Sequence, residues 1–208
     1  ILILGSGSRE HALVHAIASS SHCNHLYTAP GNAGTQQASI NVAINETDFE
    51  GIKQFVKDHD IDLVIPGPEK SLAKGIVDAF RADADLFRDQ VLGPDQAAAQ
   101  IEGSKAFAKR FMQRHQIPTG HYQVFEANQL EEASQALNHQ APPYVIKADG
   151  LAAGKGVAIC STRSEAEETL RAYMVNETLG EAGQQVIIES YLEGVEFSVF
   201  ILTDGQQW

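Results

Sequence analysis

Short apolar runs alternate with amphipathic stretches along the first hundred residues. Ile1-Leu2-Ile3-Leu4, His25-Leu26-Tyr27-Thr28 and Asp62-Leu63-Val64-Ile65 are too short for helices and suit buried parallel strands. Between them, apolar residues recur at helical spacing. Ala12, Leu13, Ala16 and Ile17 mark a helix over Glu10–Ser19. Phe49, Ile52, Phe55 and Val56 mark another, with Asp48 as its N-cap, and Leu72, Ile76, Val77 and Phe80 mark a third. Each run ends in turn residues: Gly5-Ser6-Gly7-Ser8, Pro30-Gly31-Asn32 and Pro66-Gly67-Pro68. The order strand, helix, strand, helix, strand predicts an α/β domain built on a parallel, doubly wound sheet.

The pattern changes near residue 102. Ser104 can cap a helix through Phe107, Phe111 and Met112, and Pro118 ends that region. Tyr122–Phe125 reads as a strand and Leu130–Leu137 as a helix. Tyr144–Lys147 and Gly156–Ile159 read as paired strands joined by a glycine-rich loop. A helix around Ala166–Met174 and strands at Val186–Glu189 and Glu196–Leu202 complete an α+β region. The expected organisation is one domain over 1–102 and a second, different region over 103–208.

Composition narrows the function classes. The formal net charge of −12 disfavours non-specific binding to nucleic acid or anionic membrane. Cys23 and Cys160 form no CxxC pattern, so reduced thiols in a cytoplasmic protein are the simpler reading. No apolar run approaches the ~20 residues of a membrane span. The chain begins inside an apolar run and ends just past a strand-like run, which suggests a fragment of a longer protein.

Three features carry candidate chemistry. The turn Gly5-Ser6-Gly7 follows a strand and opens a helix, a place that favours an anion. Glu10 stands where a dinucleotide fingerprint would want a third glycine, so a nicotinamide site is disfavoured. A strand–helix turn without ligand fits the same residues. Lys105 lies in the first turn of its helix, against the dipole, and Lys147 lies in a strand with apolar neighbours; an anionic partner would explain both. Gly150-Leu151-Ala152-Ala153-Gly154-Lys155-Gly156 is small and rich in N–H donors, and it differs from a Walker A loop because a strand follows it.

These residues resemble one family. Gly7-Ser8-Arg9-Glu10-His11-Ala12-Leu13 closely resembles the opening motif of glycinamide ribonucleotide synthetases, which are ATP-grasp enzymes. Pro30-Gly31-Asn32-Ala33-Gly34-Thr35 is similar to that family's second loop. Gly67-Pro68-Glu69, with Leu72, Gly75 and Asp78, is similar to its third. Glu102–Phe107, Ile117-Pro118-Thr119 and Lys147–Val157 extend the resemblance over nearly the whole chain.

The resemblance implies a pre-ATP-grasp, Rossmann-like N-terminal domain followed by the first part of an ATP-grasp domain, with a lid subdomain at about 121–190. It implies ligation of glycine to 5-phosphoribosylamine, giving glycinamide ribonucleotide, ADP and phosphate through glycyl phosphate, in purine biosynthesis. Gly5, Gly7, Arg9, Glu10, Gly31, Asn32, Gly67, Pro68, Glu69 and Asp78 would surround 5-phosphoribosylamine, with the Gly5–Gly7 turn facing its phosphate. Lys105 and Lys147 would offset charge on ATP. Gly150, Gly154, Lys155 and Gly156 would cover its phosphates, while Glu189, Tyr191, Leu192 and Glu196 would hold the adenosine. The Mg2+ ligands are expected beyond Trp208, in a missing C-terminal half of the fold, so the fragment is expected to be inactive alone.

Overall fold

The computed structural model describes residues 1–87, 89–152, 155–176, 178–201, 203, 206 and 207. These residues form two compact units, Ile1–Ile117 and Pro118–Trp208. Each is described by itself.

The first unit is a four-stranded, wholly parallel sheet in the order β3-β2-β1-β4. Its strands are β1 (Leu2–Gly5), β2 (Tyr27–Pro30), β3 (Ile40–Asn41) and β4 (Val64–Pro66). Helix α1 (Ser8–Ala18) follows β1, α2 (Phe49–Asp58) precedes β4, and α3 (Glu69–Ala73) and α4 (Ile76–Arg81) follow it. Side chains alternate across β1, as the strand period requires. Leu2 and Leu4 pack with Ile52, Val56, Ile76, Val77 and Phe80 on one face, and Ile3 packs with Val14 and Leu26 on the other. Both faces are therefore covered, which is why β1 is apolar throughout. Burying one such leucine or isoleucine contributes roughly 1.5–3 kcal/mol. The predicted doubly wound sheet is present.

Caps fix the helix starts. Asp48 Oδ1 accepts from the Gly51 N–H at 3.1 Å, and Ser104 Oγ accepts from the Phe107 N–H at 3.0 Å. The helix expected over Leu72–Phe80 is broken in two at Gly75, whose φ of +89° leaves the helical region. Helix α5 (Gln96–Gly103) leads directly into α6 (Lys105–Arg114). Phe107, Phe111 and Met112 on α6 are half-buried.

The second unit is an antiparallel sheet in the order β5-β8-β6-β7. Its strands are β5 (Tyr122–Glu126), β6 (Tyr144–Ala148), β7 (Val157–Cys160) and β8 (Gln185–Ser190). Helices α7 (Leu130–Ala136) and α8 (Arg163–Met174) cover one face. Tyr144, Ile146, Ala148, Cys160, Val186 and Ile188 point into that core. The strand expected over Glu196–Leu202 does not form: residues 196–201 have no ladder, and Phe197, Val199 and Phe200 are more than 80% exposed. A strand needs a neighbour for its N–H and C=O groups, and none of the described residues pairs with this segment. Leu202 itself lies outside the described residues.

Candidate functional site

The first unit gathers its glycine turns at one edge. β1, β2 and β4 run parallel, so the turns after them leave the sheet at their C-terminal ends. β1 is flanked by β2 and β4, and the chain winds outward from it in both directions. The crevice beyond β1 and β4 is thus a topological switch point, where open α/β sheets bind ligands.

Glu10 stands in that crevice and is buried. Its Oε2 accepts from the Gly7 N–H at 2.6 Å, so the third residue of α1 caps the helix's own first turn. A Cβ on Gly5 would lie 2.7 Å from Glu10 Cδ, one on Gly7 would lie 2.9 Å from Oε2, and one on Gly67 would overlap Oε1. Gly5 also has φ +121°, which only glycine adopts readily. Two of the three turns are therefore shaped around one carboxylate.

Asn32 ties the first and second loops together. Its Nδ2 donates to the Ser6 carbonyl at 2.8 Å and the Gly7 carbonyl at 3.3 Å. Its Oδ1 accepts from the N–H groups of Gly34 at 2.7 Å and Thr35 at 3.0 Å. All four bonding positions of the amide are used. Asn41 supports this from β3: its Nδ2 donates to the Asn32 carbonyl at 2.8 Å, and its Oδ1 accepts from Thr35 Oγ1 at 2.8 Å. Asn41 also stands where a Cβ on Gly31 would be. Neither Thr35 nor Asn41 stands out in the sequence as shaping a site. Their roles depend on the pairing of β3 with β2, and Asn41 at a strand end is the one hint.

The remaining residues of this edge differ in commitment. Arg9 is exposed on the first turn of α1, and Glu69 is half-buried at the start of α3, after Pro68. Neither side chain makes a hydrogen bond or ion pair among the described residues. Asp78 is occupied elsewhere: its Oδ2 accepts from the Gln96 N–H at 2.7 Å and so joins α4 to α5.

The register of the second unit puts two rows of side chains on the sheet face turned away from α7 and α8. Tyr122, Glu189, Val145 and Ile159 form one, and Val124, Ile187, Lys147 and Val157 the other. Lys147 and Glu189 are diagonal neighbours, with Nζ 2.6 Å from Oε2. The carboxylate is buried and the ammonium partly so. Lys147 thus has the anion that its position in a strand demanded, supplied by the protein itself.

The glycine-rich loop begins at Gly150, with φ +81°, and rejoins the sheet where the Gly156 carbonyl accepts from the Ala148 N–H at 2.8 Å. The Lys155 carbonyl accepts from Tyr173 Oη at 3.3 Å, which anchors the loop to α8. Burial pushes the Tyr173 phenol above its ordinary pKa. Gly154, a candidate in the sequence, lies outside the described residues. Tyr191 and Leu192 follow β8 with exposed side chains, and Glu196 is exposed farther on. Lys105 is the first residue of α6 and belongs to the first unit, whereas Lys147 belongs to the second.

Among the described residues, no three His, Cys, Asp or Glu side chains converge on a point that could hold a metal ion. No helix among the described residues is long and apolar enough to cross a membrane.

Comparison with known proteins accounts for the whole chain. Residues 1–102 match the family model described as phosphoribosylglycinamide synthetase, N domain, and residues 103–208 match its ATP-grasp (A) domain. The chain is 47% identical over 208 residues to the phosphoribosylamine–glycine ligase of Haemophilus influenzae, covering 99% of this chain and 47% of that protein. The Escherichia coli K12 protein of the same name is 46% identical over the same spans. The crystal structure of the Thermotoga maritima phosphoribosylamine–glycine ligase superposes with a TM-score of 0.72 at 32% identity, over 93% of this chain and 44% of that one. The N5-carboxyaminoimidazole ribonucleotide synthetase of Thermus thermophilus shares the fold, with a TM-score of 0.62 at 19% identity. The chain spans about half the length of the curated relatives it matches.

Proposed function

The chain belongs to the phosphoribosylglycinamide synthetase family, and from that premise we propose that the complete protein ligates glycine to 5-phosphoribosylamine, driven by ATP. The observation that carries this reading is the match of both family models, end to end, over the two halves of the chain. In this reading the glycine carboxylate is phosphorylated and the amine of 5-phosphoribosylamine then displaces phosphate. The reaction belongs to purine biosynthesis and is placed in the cytoplasm.

Roles follow from placement. The three turns at the switch point hold 5-phosphoribosylamine, and Asn32 acts as a positioning residue because its amide is fully committed. Lys147, on the face away from α7 and α8, offsets charge on ATP, and Lys105, at the start of α6, is assigned the same electrostatic task. The loop from Gly150 to Gly156 covers the phosphates, and the segment after β8 receives the adenosine. Mg2+, when bound, would offset charge on the ATP phosphates. Electrostatic stabilisation by positioned cations is the main work of such a site. Domain limits of 1–102 and 103–208, with a lid subdomain near 121–190, are part of the same proposal.

The test is ADP formation by the complete protein. It should require both glycine and 5-phosphoribosylamine. ADP formation with bicarbonate in place of glycine would instead indicate a carboxylating ATP-grasp ligase and overturn this reading.

A further inference from the structure

Glu10 has a consequence for how the substrate is oriented. The N–H groups at the start of an eleven-residue helix, preceded by a glycine turn, form an anion position. In this fold that position already holds an anion. Glu10 Oε2 takes the Gly7 N–H at 2.6 Å, and only 5% of the residue is exposed. Gly5, Gly7 and Gly67 lack the Cβ atoms that would collide with it. Oε1 lies against Gly67, at the head of the third loop, and accepts no hydrogen bond among the described residues. Oε1 is not enclosed, so it stays open to the crevice, where a ligand donor can reach it.

We propose that Glu10 is a specificity-determining residue: an internal anion that bars phosphate from the Gly5–Gly7 turn and offers Oε1 to a hydroxyl or amine donor of the substrate. A phosphate placed at the turn would meet a carboxylate of like charge in a poorly solvated crevice. A sugar hydroxyl or amine N–H placed between the first and third loops would complete the carboxylate's bonding. On the proposed function, which this inference refines, 5-phosphoribosylamine enters with its donor-bearing end at Glu10 and its phosphate directed away from the turn. This reverses the expectation that the turn faces the phosphate.

Inorganic phosphate is the direct probe. The 208-residue chain is titrated with phosphate at millimolar concentration, and the amide resonances of Gly5 and Gly7 are followed by NMR. The wild-type amides should not respond. Glu10→Ala should gain a saturable response at the same amides. A saturable response of the wild-type amides would overturn the proposal, and that measurement stands even if Glu10→Ala does not fold. A folded Glu10→Ala that takes no phosphate would also overturn it.

A second arm uses the complete enzyme. Glu10→Gln should raise KM for 5-phosphoribosylamine about tenfold and leave KM for ATP unchanged. An unchanged KM for 5-phosphoribosylamine would remove the donor contact. If the wild-type enzyme formed no glycine-dependent ADP, the family reading would fail, while the phosphate titration would still decide the role of Glu10.

Discussion

Lys147 on β6 and Glu189 on β8 stand one ladder step apart on the same sheet face and close an ion pair of 2.6 Å. The carboxylate is almost fully buried, so removing its partner leaves a desolvated charge. Lys147→Ala should therefore lower stability by about 1–3 kcal/mol. Glu189→Gln added to that variant should restore most of the loss, because the residual charge is gone. Nucleotide binding should stay weak in both variants. Urea denaturation and nucleotide titration together separate the two roles. If nucleotide affinity recovers along with stability, Lys147 is a structural residue only.

The wedge formed by Glu10 makes Gly67 sensitive. Gly67→Ala inserts a methyl group into the space of the Glu10 side chain and should cost about 1–3 kcal/mol, as overpacking does. In a Glu10→Ala background the same change should cost within about 0.5 kcal/mol of nothing. A double-mutant cycle by thermal or chemical denaturation checks this. Equal costs in both backgrounds would mean that Gly67 is confined by something other than Glu10.

Asn32→Asp preserves shape and removes both Nδ2 donors. It sets an anionic oxygen against the Ser6 and Gly7 carbonyls. The expected loss is about 1–3 kcal/mol. In the complete enzyme, KM for 5-phosphoribosylamine should rise while KM for ATP holds. The amide shifts of Gly34 and Thr35 provide a local check, since both N–H groups bond to Asn32.

Asp83 defines a pH window for the first unit. The Lys57 ammonium, 3.0 Å from Oδ1, holds its carboxyl below the ordinary value of 3.8, with help from the Asp85 N–H and Lys53. A depressed carboxylate stabilises the fold above its unfolded value, and the contribution fades as pH falls through the folded value. Hydrogen bonding to Glu50 raises Lys53, and hydrogen bonding to Asp83 raises Lys57, above 10.5. Their contribution is complete below that value and fades as pH rises through the folded one. Asp83→Asn should thus lower Tm in the range from about pH 4 to pH 10, with the difference shrinking below pH 3. A Tm difference that persists in acid would point to a packing effect.

Signals that act locally are legible in the sequence. Asp48 and Ser104 cap the helices they were expected to cap, because a cap needs only its own first turn. Leu2 to Leu4, continuous in apolar character, form a strand covered on both faces. The need of Lys147 for an anion was legible from its neighbours. The identity of that anion was not, because Glu189 comes within reach only through the register of β6 with β8. Gly7 and Glu10 have the spacing of an N-cap and its third helical residue, which encodes the self-capping carboxylate. Glu196–Phe200 carries strand-like residues, yet pattern alone cannot supply a neighbouring strand.

The amide of Asn32 also matters for redesign. Two loops that are 25 residues apart in sequence are joined through one side chain with no spare bonding capacity. They form a single heritable block. A library that randomises the first loop alone keeps its geometry only while Asn32, Thr35 and Asn41 are retained. A graft that moves the first loop to another parallel sheet must carry the second with it, and must bring along a short outer strand ending in asparagine.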